Sequence, residues 1–247
     1  MINYSMKRIL IYLLLYSICQ TAYSQDSLLV MFWNVENFFD HVDGGTGESD
    51  KEFSSYGSRH WSRKKFQTKC DAVAKSIMWI GERYGRMPDV IGFAEIENKG
   101  VLVKLLRSTV LRKYDYRIIH HDSGDRRGID VAMIYRESSM RNVSTSFRTP
   151  VYQGKKLSTR DILHARMCLS DSSELDFIVN HHPSKYGGAD ESEGRRKAAM
   201  EALKFICDSL GSNAIIAMGD FNDTPDSGSF GLMENTLENK GIRLHDK

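Results

Sequence analysis

Ala214-Ile215-Ile216-Ala217-Met218-Gly219-Asp220-Phe221-Asn222-Asp223 is the stretch on which the fold turns. Its apolar half has the length and composition of a buried strand, and it passes without a spacer into a glycine, a carboxylate and an amide. The same transition occurs three times upstream. Leu28 to Trp33 runs into Asn34-Val35-Glu36-Asn37, Asp89 to Ala94 runs into Glu95-Ile96-Glu97-Asn98, and Phe177-Ile178-Val179 runs into Asn180-His181-His182. Polar residues finish many strands as turn formers, so one such end carries no meaning. Together they would set carboxylates, amides and a histidine on rigid elements, which is what a metal-assisted hydrolytic site needs.

Working outward from these runs, strands are expected at Leu28–Trp33, Val90–Glu95, Tyr116–His121, Ile129–Tyr135, Leu163–Leu169, Leu175–His181 and Ala214–Gly219. Helices fit between them. Over Arg63–Tyr84 the residues Phe66, Cys70, Val73, Ile77 and Ile80 recur at three- and four-residue steps, and Gly85 and Pro88 close the segment. Val101–Arg107 and Glu193–Leu210 have the same character. The alternation predicts a mixed α/β protein with hairpin-like pairs in its middle and no internal repeat.

Composition agrees with a folded enzyme. The chain has 247 residues, is 41% hydrophobic and 27% charged, and contains four prolines, which excludes a disordered or collagen-like polymer. That length suits one layered α/β domain without a linker. The start differs from the rest: Lys7 and Arg8 precede the apolar run Ile9–Ile18, and Ala22-Tyr23-Ser24 places small residues where a signal peptidase reads. Residues 1–24 are therefore expected to be a signal peptide and residues 25–247 an incomplete catalytic domain. Export to the periplasm or the extracellular space follows, with no stable membrane insertion after cleavage, because the run is short for a span.

The leader carries Lys7 and Arg8 and no acid, so the formal charge of +2 falls to zero in the mature chain. Attraction to a polyanion would have to come from local clusters, Arg59–Lys65 and Arg195-Arg196-Lys197, which also read as solvated helix faces. Cys70, Cys168 and Cys207 remain after cleavage; their spacing matches neither a zinc site nor a disulfide framework, and they read as core residues. His41, His120, His121, His164 and His245 lack partners at ligand spacing and read as structural or exposed, and His60 beside Trp61 reads as a helix entry or a stacking contact. Glu36, Glu97 and Asp223 adjoin the motif residues and read as turn stabilisers.

Phe32-Trp33-Asn34-Val35-Glu36-Asn37, Asp89-Val90-Ile91-Gly92-Phe93-Ala94-Glu95, Asn180-His181 and Gly219-Asp220-Phe221-Asn222 resemble, in order, the motifs of the endonuclease/exonuclease/phosphatase family, over about Val30 to Pro225. That family includes pancreatic-type deoxyribonuclease, abasic-site endonucleases, inositol polyphosphate phosphatases and bacterial sphingomyelinases. The resemblance implies a four-layer α/β sandwich of the deoxyribonuclease-I-like type, here with part of the second sheet missing.

It also implies roles. Glu95 matches the glutamate that ligates a divalent metal, Mg²⁺ or Mn²⁺, and Asn34 supports metal and phosphate. Asp220 matches the aspartate that activates or orients the attacking water, and Asn222 the amide that holds a phosphate oxygen. His181 matches a histidine that hydrogen-bonds phosphate, with a one-residue ambiguity against His182. Asp130 falls where related enzymes carry an acid that orients the site histidine, and Arg160 resembles the arginine that contacts the substrate backbone.

The chain departs from the family after Asp223, where members continue to a Ser-Asp-His segment. A longer reading frame, or a second polypeptide supplying the missing C-terminal segment, is therefore expected. Nucleic acid is the expected substrate of a secreted nuclease. The alternatives are a phosphatase or phospholipid-headgroup phosphodiesterase built on the same core, and an inactive phosphate-binding remnant.

Overall fold

The computed structural model describes residues 27–45, 47–185, 189–211 and 214–233, so the expected leader, residues 1–24, lies outside the described residues. Two sheets form the centre. The first contains β1 (Val30–Phe38), β2 (Val90–Ile96), β3 (Tyr116–His120) and β4 (Asp130–Arg136) in the order β1-β2-β4-β3, with β1 and β2 parallel. The second contains β5 (Met140–Arg148), β8 (Ile162–Leu169), β9 (Glu174–His181) and β10 (Ala214–Asp220) in the order β10-β9-β8-β5, with β9 and β10 parallel. A small hairpin joins β6 (Val151–Tyr152) to β7 (Lys155–Lys156). Gln153 and Gly154 turn it with positive φ of 49° and 74°, the backbone that a two-residue hairpin loop requires.

Both faces of each sheet are covered, which is why the central strands read as unbroken apolar runs. Val90, Val131 and Met133 of the first sheet meet Leu163, Met167, Phe177, Val179 and Met218 of the second in an inter-sheet core. On the outer face of the first sheet, Ile91, Phe93 and Ile96 pack against α1 (Arg63–Tyr84) and α2 (Lys99–Ser108) through Phe66, Cys70, Ile77, Leu102 and Leu105. On the outer face of the second, Ile162 and Ile178 pack against Met200, Leu203 and Cys207 of α3 (Ala189–Ser209). The result is a four-layer α/β sandwich. Among the described residues no helix is long and apolar enough to cross a membrane.

Local chemistry fixes the elements. Ser62 caps α1 by accepting from Lys65 N at 3.4 Å, and Gly85 ends the helix in the left-handed region at φ 69°. Asn98 caps α2 from the residue pair that follows β2, accepting from Val101 N at 3.1 Å. Asp89, fully buried before β2, accepts from Leu29 N, Arg86 and Ser139 Oγ at 2.9, 2.7 and 2.6 Å, tying together the starts of β1 and β2 and the turn into β5. Cys70 and Cys207 are buried and Cys168 half-buried, and burial pushes the Cys70 thiol up to about 12, so it stays protonated and behaves as a hydrophobe.

Two details differ from the sequence expectation. Strand β5 has no counterpart there because its residues are polar and mostly exposed, as Arg141, Ser144, Thr145 and Ser146 show; an edge strand with one neighbour needs no hydrophobic alternation. Asn34 also does not follow its strand but sits within it, and both it and Glu95 border irregularities. The β1–β2 register shifts between Asn34 and Phe38, and the β2–β4 register shifts between Ala94 and Ile96. Such bulges re-aim side chains.

Among the glycines where an added Cβ would crowd its neighbours, two lie in strands of the central sheets. A Cβ on Gly92 would lie 2.9 Å from Met218 Cε and 3.3 Å from Phe32, where the two sheets meet. A Cβ on Gly219 would lie 2.3 Å from the Asn180 carbonyl oxygen, a backbone atom that cannot swing away. Gly219→Ala is therefore expected to destabilise the fold by about 1–3 kcal/mol, read as a lower urea midpoint with an unchanged slope. A midpoint equal to that of the unmutated chain would show that β9 and β10 can separate at this position at no cost.

Candidate active site

The bulged ends of β1 and β2 and the regular ends of β9 and β10 bring the motif side chains together. Asn34 stands at the centre. Its Nδ2 donates to Glu95 Oε1 at 3.4 Å and to Asp220 Oδ2 at 3.0 Å, so two carboxylates from different sheets meet on one amide. Its Oδ1 accepts from Glu36 N at 2.9 Å, so the amide bridges the two carboxylates through Nδ2 while its oxygen is oriented by the β1 backbone. Glu95 Oε2 accepts from Asn37 N at 2.7 Å.

This geometry is held by an unfavourable backbone. Glu36, Asn37, Glu95 and Asn222 adopt positive φ of 52°, 50°, 64° and 51°. Asparagine tolerates that region, whereas glutamate does so only when its surroundings impose it. The hydrogen bonds to Asn34 and Glu95 are part of that imposition.

His181 Nε2 stands 4.0 Å from Asp220 Oδ2, and its Nδ1 is buried without a hydrogen-bond partner. Burial first, then the Arg160 and Arg127 charges, hold its pKa well below the usual histidine value, so the ring is neutral. His182 points away, its ring edge-to-face with Phe221 at 5.0 Å, and burial with the Arg160 charge lowers its pKa to about 3. The pair is thereby resolved: His181 is the histidine beside the carboxylates.

Asn222 and Arg160 are more deeply engaged than expected. Asn222 N donates to Asp220 Oδ1 at 3.0 Å, and its Nδ2 donates to His182 O at 2.9 Å. Arg160, only 8% exposed, donates from Nη2 to the same His182 oxygen at 2.7 Å and from Nη1 to Asp125 Oδ2 at 3.1 Å. Both brace the ends of β9 and β10. Asp130 does not orient His181: its Oδ1 accepts from Ser123 N at 2.9 Å and from Ser123 Oγ, and its Oδ2 faces His120 Nε2 at 3.6 Å.

Sequence reasoning missed two cations. Arg127 donates from Nη2 to Asn37 Oδ1 at 2.5 Å and lies 3.5 Å from Glu95 Oε2, with its side chain 42% exposed. Its only sequence mark is the run Asp125-Arg126-Arg127-Gly128. Lys69, on α1, donates to the Glu36 carbonyl and lies 5.5 Å from the centre of the Phe38 ring; burial lowers its pKa while Glu36 and Glu95 oppose that shift. The turn residues behave as expected or better. Asp223 accepts from Ser229 Oγ at 2.7 Å and pairs with Arg196 at 3.3 Å. Glu97 accepts from Asp40 N at 2.6 Å, and burial with a hydrogen bond to Asp50 raises it to about 8.

The donor set fits a divalent cation. Two carboxylates converge on a single neutral amide, their oxygens are hard donors, and the neighbouring imidazole is uncharged.

The Endonuclease/Exonuclease/phosphatase family model matches residues 29–245. The chain belongs to this family. Solved structures of the same fold include the human Nocturnin catalytic domain with bound sulfate, 15% identical, covering 85% of this chain and 69% of that one, at TM-score 0.57. A mannosyl-6-phosphatase of Bacteroides thetaiotaomicron is 15% identical, covering 85% and 70%, at TM-score 0.55. A β-hairpin deletion mutant of Staphylococcus aureus beta toxin is 16% identical, covering 88% and 74%, at TM-score 0.56. No curated protein sequence matches the chain. The endonuclease/exonuclease/phosphatase family to which the chain belongs is one of phosphoester hydrolases.

Proposed function

We propose that this chain is an exported, divalent-cation-dependent nuclease that cleaves nucleic-acid phosphodiesters by in-line attack of water. The observation that carries the reading is the meeting of Glu95 and Asp220 on Asn34, beside a groove of about 310 Å³ lined by Arg126, Arg127, Arg160 and Arg195. Arginines next to a hydrolytic centre suit a substrate with phosphates on either side of the one being cut.

Glu95 would hold Mg²⁺ or Mn²⁺, with Asp220 adjacent and Asn34 keeping the two carboxylates in register. When bound, the cation offsets charge on the phosphoryl oxygens. Asp220 Oδ2 accepts the proton of the attacking water, while the Asn222 backbone N–H holds the other carboxylate oxygen in place. Neutral His181 offers a ring N–H to a phosphoryl oxygen without competing with the cation for the carboxylates. The free N–H of Asn222 Nδ2, opposite its bond to His182 O, serves the same charge. Arg127, rather than braced Arg160, is the guanidinium exposed enough to meet a flanking phosphate.

Purified protein in Mg²⁺ is expected to nick supercoiled plasmid or cleave RNA, and to leave mannose 6-phosphate and sphingomyelin vesicles intact. Turnover of either of those without nucleic-acid cleavage would replace the substrate class while keeping the hydrolytic site, and phosphate binding without turnover would make the chain a binding remnant. The mass of the protein recovered outside the cytoplasm tests removal of residues 1–24.

A further inference from the structure

A second cavity, of about 470 Å³, opens on the other side of the loop that carries Arg127. Its walls include Asp40, Asp50, Glu97, Asp122, Asp125 and Asp130, and among the described residues no lysine or arginine lines it. Asp125 is neutralised by Arg160 at 3.1 Å, and Glu97 and Asp50 hold each other by a hydrogen bond. Asp122 and Asp130 have neither arrangement. Carboxylates facing a partly enclosed space repel one another unless a cation or proton intervenes.

An acidic wall alone proves nothing, but here a buried imidazole, His120, lies beside two of the lining carboxylates, Asp122 and Asp130. The His120 side chain is only 2% exposed, and its Nε2 is buried without a hydrogen-bond partner. Asp130 Oδ2 lies 3.6 Å from that nitrogen and Asp122 Oδ1 lies 3.8 Å from Nδ1, both too long for hydrogen bonds. An orphaned buried ring nitrogen is costly unless something occupies its lone pair. One ligand atom from each of His120, Asp122 and Asp130 can be chosen so that all lie within 4.8 Å of one another. Ligand atoms around one tetrahedral metal ion stand roughly 3–4 Å apart, so only a small contraction is required.

We propose that His120, Asp122 and Asp130 form a second divalent-cation site, suited to Zn²⁺ or Mn²⁺, that pins the connection between β3 and β4. Imidazole with carboxylates selects these ions over Ca²⁺, which takes oxygen donors, and over Mg²⁺, which keeps most of its water. Ser123 supplies the supporting shell. Its N–H and Oγ–H both bind Asp130 Oδ1, which fixes the carboxylate and leaves Oδ2 for the ion. The pinned connection carries Asp125, which holds Arg160, and Arg127, which reaches Asn37 and Glu95. The ion would thus set the position of two arginines without touching the reacting atoms. The site stands apart from the hydrolytic reading.

Calorimetric titration of the metal-stripped full chain with Zn²⁺, repeated with Mn²⁺, tests the assignment. Binding should persist in Glu95→Gln and weaken at least tenfold in Asp122→Asn, a substitution at a side chain 81% exposed that leaves folding intact. His120→Gln provides the second variant, with circular dichroism as the folding control. Zn²⁺ should raise the melting temperature of the unmutated chain and of Glu95→Gln, raise that of Asp122→Asn and His120→Gln less, and fail to raise that of either combined with Glu95→Gln. Unchanged stoichiometry and affinity in both Asp122→Asn and His120→Gln, or a single ion per chain that Glu95→Gln abolishes, would overturn the proposal.

Discussion

Glu95→Gln is expected to reduce phosphodiester cleavage on the order of a thousandfold or more while leaving the fold in place, because glutamine keeps the shape but not the charge. Its amide oxygen still accepts from Asn37 N, the contact that fixes the carboxylate at 2.7 Å. What is lost is the hard anionic donor. Cation affinity falls with it, so a chelator added to the unmutated protein should reproduce the defect, and raising Mg²⁺ should recover part of the variant's rate. Stability does not follow activity. In metal-stripped protein, removing one of two carboxylates that meet on a single amide relieves their repulsion at the expense of the Arg127 contact to Glu95, so the melting temperature should hold. A variant that cuts at the original rate, or whose loss of activity tracks loss of fold, would remove Glu95 from the cation site.

Asp220→Asn is expected to lower kcat by about 10²- to 10⁴-fold with KM little changed, the signature of losing a proton acceptor rather than a binding contact. The asparagine oxygen can still accept from Asn222 N, but its Nδ2 then faces Asn34 Nδ2, donor against donor, so the contact to Asn34 is lost and circular dichroism serves as the folding control. Excess Mg²⁺ should not rescue this variant. That separates the two carboxylates experimentally: a defect at Asp220 that Mg²⁺ repairs would make it a ligand and leave the water without a base.

The central strands were legible because both faces of each sheet are covered there, which forces Val90–Ala94 and Phe177–Val179 to be apolar. Strand β5 was not, since an edge strand exposed to water can be built from Arg141, Asn142, Ser144 and Ser146. At the site, residue types and order predicted that Asn34, Glu95, His181 and Asp220 would converge, because rigid strand ends leave few alternatives. What pattern could not supply was orientation. Asn34 turns its oxygen to Glu36, Arg160 spends its donors on Asp125 and His182, and Asp130 faces His120, choices made by neighbours distant in sequence. Arg127 was invisible for the same reason: its partners, Asn37 and Glu95, lie 90 and 32 residues away.

The left-handed backbone at Glu36 and Glu95 bears on how such a protein decays. Glycine at either position would relieve the steric strain of that region, with a more flexible unfolded chain as the opposing cost. A copy released from selection for cleavage would therefore shed strain as it became inert, and drift would favour rather than oppose the loss. Lineages that have abandoned the reaction should be recognisable by well-folded sandwiches that retain the β1 and β2 bulges but carry glycine or asparagine where the two glutamates stood.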